Sequence, residues 1–424
     1  MFKSITIPYR HRVLAMLCIL TTITYLDRIC ISLVGIRVKD EFDLNNTQFG
    51  WVLAAFSLAY ALFEIPSGVL GDRFGPRIVF IRIVLMWSFF TALTGLATGL
   101  VSLIFIRFLF GVGESGTYPN IMIVVSRWFP VNETGRALTW VGLGSQIGSA
   151  IAPLIIIPIA VFFGWRSSFY VIALIGVVWV WACHKWFKNY PHEVRSIPVK
   201  EKHLIESGCR HNRNGHQVIW KTILQSRNVW ALMLMYFCCQ WGNYFFLAWM
   251  PIYLQEGRHF TEDEMKLAST VLFLVGIAGF LVGGVTADFI ARVKGIRFGR
   301  RFMGVSGLGL CGLFLIMAAS TTNHSESSYY LIAANFFYCF GIMVSYAVCT
   351  DIGKNNAGTV TGAMNFFGQL GGFLLSISFG TIAEMVNDLN YPLFLVSGVL
   401  LAGALLWFAI DPKKQIAEFE RTKN

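Results

Sequence analysis

"GVLGDRFGPR", residues 68–77, is the stretch on which the fold turns. A glycine-spaced apolar helix end runs into Asp72, and a Gly-Pro turn follows between Arg73 and Arg77. The same order recurs in the second half of the chain as "GGVTADFIARVKGIRFGRR", residues 283–301, with Asp288 in the acidic place. Each copy lies between two apolar segments of membrane-spanning length. A loop grammar that recurs between paired spans marks a chain built from two related halves.

The segments on either side support that reading. Hydropathy predicts spans near 13–35, 48–70, 78–97, 101–126, 137–160, 168–187, 228–254, 267–290, 302–320, 328–350, 358–381 and 391–410. Each is about long enough to cross a bilayer as a helix. The expected fold is therefore an all-α integral membrane protein of twelve spans. Residues 1–187 form one six-helix bundle, 188–227 a polar cytoplasmic linker and 228–424 a second bundle. The composition agrees: 55% of the 424 residues are hydrophobic and 13% charged, against roughly 25% charged in a soluble domain. Orientation follows from Lys and Arg. With both termini cytoplasmic, 26 of the 34 basic residues face inward, five face outward and three lie within spans. The net charge of +11 thus marks cytoplasmic loops and excludes a nucleic-acid site. The nine cysteines include no paired CxxC spacing and read as small apolar residues, so neither a metal nor a cofactor is expected. Gly144/Gly148, Gly279/Gly283 and Gly368/Gly372 recur at four-residue spacing, which lets helices approach closely in lipid.

The doubled loop resembles the signature of the major facilitator superfamily. "RWFPVNETGRA", residues 127–137, resembles its companion loop. In that family the acidic loop residue, here Asp72, caps a neighbouring helix end and holds one transport state, with Glu133 and Arg136 as candidate partners. "YLDR" in the first span, "RFLFGVGESGTYP" in the fourth and "RWFP" with "GRA" after it are similar to the anion:cation symporters. That group includes bacterial sugar-acid permeases, sialin and the vesicular glutamate transporters. The resemblance implies alternating-access uptake of a small organic anion, driven by protons or sodium.

Why, then, does "ITYLDRICIS", residues 23–32, place Asp27 and Arg28 inside a span? A charge at the bilayer centre costs roughly 2.5–3.5 kcal/mol or more, and function commonly retains it. Thr21, Thr24, Tyr25, Arg28 and Ser32 share one helix face, which should line water. Asp27 points about 100° away and needs another partner. Arg107, Gly111, Glu114 and Tyr118 share a face of the fourth span. Counting about 1.5 Å per residue puts Asp27 and Arg107 at one depth and Glu114 roughly 10 Å deeper. The expected pair is therefore Asp27–Arg107, with Arg28 free to grip a carboxylate through its planar fork. Asp27 and Glu114 sit in a low-dielectric setting, where a proton offsets the cost of burying a charge. The family resemblance implies the same roles: proton coupling for these two acids, substrate binding for Arg28, and a conformational ion pair for Arg107. By resemblance, Tyr25, Tyr60, Gln146 and Asn365 match substrate-contacting positions; Gln240, Asn243 and Gln369 are further polar candidates. Glu64 departs from a family position that often carries an amide; an inner Glu64–Arg82 pair is expected, with a third proton site as the alternative. One available arginine favours a monocarboxylate, such as a sugar acid, over a dicarboxylate.

Two rival functions would leave other marks in the sequence. A drug exporter or antiporter would carry a GxxxGPxxGG-like run on the fifth span, which here reads "VGLGSQIGSAIAP". A membrane enzyme would need a nucleophile, a histidine and an acid at membrane depth, and all eight histidines lie in loops or at span ends. The expected setting is a monomer in a bacterial inner membrane, with the lipid bilayer, an organic anion and protons, or Na+, as its partners.

Overall fold

The repeated loop folds the same way twice. The computed structural model describes residues 8–194, 196–208 and 220–416. Cys209, part of the 188–227 linker, Lys3 and residues 417–424 lie outside the described residues. In the first copy α3 (Asn46–Phe74) turns into α4 (Pro76–Thr94) at Gly75. In the second, α13 (Glu262–Lys294) turns into α14 (Ile296–Ser320) at Gly295. Gly75 and Gly295 have φ of 83° and 85°, a region that penalises any Cβ, so both copies need glycine there. Both preceding helices also start alike. Asn45 with Gln48, and Thr261 with Glu264, form reciprocal capping boxes that satisfy otherwise orphaned backbone N–H groups.

The described residues form helices and no strands. Before α3 come α1 (Tyr9–Leu33) and the short α2 (Gly35–Phe42). After α4 come α5 (Leu100–Glu114), α6 (Thr117–Trp128), α7 (Val131–Phe163) and α8 (Trp165–Trp186). The connecting segment carries α9 (Val199–Gly208) and α10 (Trp220–Gln225). Then α11 (Arg227–Tyr244) passes through π-helical turns, Phe245–Trp249 and Tyr253–Gly257, on either side of the three-residue α12 (Met250–Ile252). After α14 follow α15 (His324–Gly353), α16 (Ala357–Val386) and α17 (Asn390–Leu406). Among the described residues, ten helical stretches are long and apolar enough to cross a membrane, with α5 and α6 counted as one. Two expected spans take another form: 228–254 is interrupted by the π turns, and α17 is a shorter apolar helix.

Small residues set the closest approaches, as their spacing predicts. A Cβ on Gly144 or Gly148 would run into the α1 backbone at Cys18 or Thr22. One on Gly279 or Gly283 would meet the α15 carbonyls of Phe336 and Phe340. One on Gly368 or Gly372 would overlap the rings of Tyr236 and Tyr244 on α11. The same device thus joins α7 to α1 and α13 to α15.

The α1–α8 helices meet the later ones through α3 against α16 and α7 against α13. At the end that carries α2, charged groups join the two sides. Arg37 binds Glu262 in a two-bonded fork at 2.9 Å. Lys39 donates to Glu256 at 2.6 Å and to Asn46 at 2.8 Å. The Asn46 backbone N–H donates to Glu384 at 3.0 Å. Beneath them Phe49, Trp249 and Phe379 pack as an aromatic plug. Nearby, Trp165 and Arg166 both donate to Glu41, and these bonds hold its carboxyl below the ordinary carboxylate range. The opposite end has no such ties across the two sides among the described residues.

Candidate functional site

Arg28 reaches from α1 to Glu114, the last residue of α5. Its Nε donates to Glu114 Oε1 at 2.5 Å, and Nη2 lies equally close to the same oxygen without hydrogen-bond geometry. Glu114 Oε2 has no partner. The fork is therefore engaged on one carboxylate oxygen only. Both side chains are buried, and the guanidinium packs over the rings of Tyr25, Phe56 and Tyr60 at 4.9–5.2 Å. Such faces attract a cation most where water is excluded. Glu114 also sits in the last turn of α5, where the helix dipole opposes a negative charge. The bond to Arg28 is its one charged hydrogen-bond partner.

This corrects the expected pairing. Asp27 does not contact Arg107 and instead accepts from Thr91 Oγ1 of α4 at 2.7 Å, while its Oδ1 is buried without a partner. Arg107 forms no ion pair among the described residues and lies against Phe110 and Phe56 at 4.4 and 5.3 Å. Arg28 in turn is not free. The depth count compared backbone positions alone, and Arg107 and Glu114 do lie on one unbroken helix, α5. Long side chains then bridge the offset that the count assigned to backbone positions.

The second expected pair is also absent. Arg82 Nη2 donates to Ser67 Oγ at 3.3 Å and does not reach Glu64. Glu64 Oε1 accepts from Asn365 of α16 at 3.5 Å, and its Oε2 is buried with no partner.

Arg28 and Glu64 line one cavity between the two sides. It contains Tyr25, Arg28, Tyr60, Glu64, Gln146, Gln240, Asn243, Asn365 and Gln369, and so gathers every expected substrate-contacting residue. Toward the α2 end it stops at the Arg28–Glu114 pair and the Tyr244–Gln369 hydrogen bond. Toward the other end it extends past Leu138, Thr350 and Thr361, which lie near helix ends and loops. Gln146 Oε1 is buried without a partner, and Gln240 accepts from Tyr338 at 3.3 Å.

Sequence reasoning missed the tyrosine wall. Tyr236, Tyr338 and Tyr346 also line the cavity, beside Tyr118, which the sequence had placed on the Glu114 face. Tyr236 and Tyr346 bond through their hydroxyls at 2.8 Å, and Tyr118 donates to Tyr25 at 3.5 Å. Tyrosines this abundant on apolar helices do not stand out until the faces are known. Thr91 was missed too, although a hydroxyl buried beside an unpaired carboxylate is a common partner.

The loop residues are placed differently from expectation. Glu133 pairs with Arg10 of α1 at 3.0 Å and not with Asp72 or Arg136. Arg77 donates to the His184 carbonyl, and its backbone N–H donates to Asn189 at 2.9 Å. Asp72, Arg73 and Asp288 are exposed at their helix ends, and Arg73 lies over Phe74. In the second copy the ion pairs belong to other acids, Arg300–Asp351 at 3.1 Å and Arg297–Asp411 at 3.5 Å. A basic-loop pattern fixes where these charges lie, but several acids stand within reach of each.

Comparison with known proteins agrees with this architecture. The probable sulfoacetate transporter SauU of Cupriavidus necator is 31% identical over 414 residues, covering 96% of this chain and 95% of that one. The hexuronate transporter of Bacillus subtilis is 29% identical, covering 96% and 94%. The D-galactonate transporter of Escherichia coli is 29% identical, covering 95% of each. Among solved structures, a bacterial homolog of the human lysosomal transporter Spinster, in an inward-facing and occupied conformation, superposes with a TM-score of 0.73. It is 18% identical and covers 95% of this chain and 97% of that one. The profile of the Major Facilitator Superfamily matches residues 17–376, and the chain belongs to that family.

Proposed function

We propose that the protein is a proton-coupled symporter that takes up a small organic anion, most simply a monocarboxylate such as a sugar acid, by alternating access. It spans the bacterial inner membrane twelve times as a monomer, with both termini in the cytoplasm. Residues 1–187 and 228–424 form its two bundles, joined by the 188–227 linker. The observation that carries this reading is the Arg28–Glu114 pair at the closed end of the cavity. Arg28 offers a carboxylate a two-bonded fork, yet Glu114 occupies only one oxygen's worth of it.

The mechanism follows from charge balance. An anion and ionised Glu114 compete for Arg28, since two carboxylates at one buried guanidinium leave an unpaired charge, which is strongly unfavourable. A proton on Glu114 resolves the competition by removing its charge and releasing Arg28. Anion binding and protonation then stabilise each other, which is coupling. Asp27, held by Thr91 and close to Arg107 on α5, serves as a second proton-coupling acid. The cavity of this conformation reaches the end opposite α2, the cytoplasmic end in this reading. The α2 end is shut by Arg37–Glu262 and Lys39–Glu256, and opening it requires those bonds to part. The sulfoacetate, hexuronate and galactonate transporters among the relatives support an acid-bearing substrate.

The test is uptake into proteoliposomes of radiolabelled D-galactonate, D-glucuronate and sulfoacetate, with the outside acidic. Accumulation of one of them that collapses with a protonophore is the expected result. Failure of all three to enter, with drugs or lipophilic cations moving instead, would overturn the reading.

A further inference from the structure

Glu64 plays no part in the mechanism above, yet it is the one carboxylate among the described residues that line the cavity. It is 3% exposed. Its Oε2 has no partner, and its Oε1 has only the long bond from Asn365. The groups facing it from the packed helices offer no counter-ion. Arg28 of α1 is committed to Glu114 of α5. Arg82 of α4 is committed to Ser67. Tyr60, one turn earlier on α3, stacks on Arg28, while Tyr118 of α6 and Tyr346 of α15 bond to other tyrosines. An anion that entered this cavity would meet Glu64 as a buried and uncompensated like charge. Buried charges persist when paired or neutralised. Here no pairing cation lines the cavity beyond Arg28, which the anion itself would take.

We infer that Glu64 is a further proton-carrying residue of the transport cycle. It is loaded with a proton when the anion enters and emptied to the cytoplasm when the anion leaves. The inference rests on the anion-symport reading and adds one proton to its stoichiometry. The proton comes from external water onto a carboxylate oxygen. It leaves from the same group to water in the cavity, which in this conformation extends from Glu64 to the cytoplasmic end. The position suits the task in a second way. Glu64 on α3 bonds to Asn365 on α16, so the ionised form ties the two sides together after release. The protonated form can donate to the substrate or to the Asn365 carbonyl oxygen.

Two measurements on the purified full-length protein test this. The first needs no substrate. Dicyclohexylcarbodiimide adds to protonated buried carboxyls, and mass spectrometry of peptides, with Glu64→Gln as the assignment control, reads its occupancy at Glu64. Labelling should fall by about tenfold or more between about pH 5.5 and about pH 8.5. No labelling at any pH, or labelling that does not change with pH, would overturn the inference. The second counts protons taken up per anion bound, by titration calorimetry in buffers of different ionisation heat, with D-galactonate, D-glucuronate and sulfoacetate as probes. Wild type should take up one proton more than Glu64→Gln; equal counts would overturn the inference. If none of the three anions gives heat, the substrate reading fails, and the carbodiimide result still decides the role of Glu64.

Discussion

Replacing Glu114 by Gln strands the Arg28 charge in a site where its side chain is 8% exposed and its partner's 1%. Removing one member of a buried pair costs about 3–5 kcal/mol, because the other charge stays buried and unpaired. Arg28→Met strands Glu114 by the same argument. The chain has 424 residues. At about 2.1 cal/mol/K of unfolding entropy per residue its transition entropy is on the order of 0.9 kcal/mol/K, so about 4 kcal/mol lowers Tm by about 4–5 °C. The double variant removes both charges and should melt close to the milder single variant, a coupling of about 3 kcal/mol. The assay is the melting temperature of the four proteins in one detergent at neutral pH. A parallel cycle on Asp27→Asn and Arg107→Gln should be additive within about 0.5 kcal/mol, because those side chains do not touch here. Strict additivity for Arg28 and Glu114, or strong coupling for Asp27 and Arg107, would refute the reasoning and restore the pairing that depth counting suggested.

Thr91→Val removes the single hydrogen bond to Asp27 and should cost about 1–3 kcal/mol, seen as a lower Tm that Asp27→Asn in the same chain does not deepen. Gly148→Ala pushes a Cβ into the Thr22 carbonyl, a backbone atom that cannot turn aside, and should destabilise by about 1–3 kcal/mol or prevent folding, while Gly284→Ala, which meets nothing, should be close to neutral. Glu41 is held below the ordinary carboxylate range by Arg166 and Trp165, so its contribution is present above about pH 4.3 and lost as pH falls through its lowered folded value. Glu41→Gln should therefore melt slightly below wild type at neutral pH, with the gap closing on acidification. Arg28→Lys keeps the charge but loses the planar fork, and should weaken anion binding by about tenfold or more in a thermal-shift titration while the protein stays folded.

The apolar stretches, the doubled loop and the glycine pairs were legible because lipid imposes them: length, loop charge and close backbone approach are local properties. Arg28 and Tyr25 were legible as cavity residues because helical spacing fixes which residues share a face, whereas Gln146 and Asn365 came from the family resemblance. Pairing was not legible. It depends on how far two long side chains reach across a gap and on which neighbouring hydroxyl stands closer, as Thr91 does to Asp27. Glu64 shows the same boundary. Its height matches that of Arg82, but Ser67 on its own helix takes the arginine. The tyrosine wall was hidden for another reason. Tyr236, Tyr338 and Tyr346 look like apolar core until α11 and α15 are set around the cavity.

The exchange of Glu114 for a substrate carboxylate at Arg28 is the centre of this account, and one experiment addresses it directly. Glu114→Gln is reconstituted beside wild type, and two modes are read with the same anion: accumulation driven by an acidic exterior, and counterflow with no proton gradient. Wild type should do both. The variant, which mimics a permanently protonated acid, should exchange anion by counterflow yet fail to concentrate it. Proton-driven accumulation by Glu114→Gln equal to that of wild type would contradict the account.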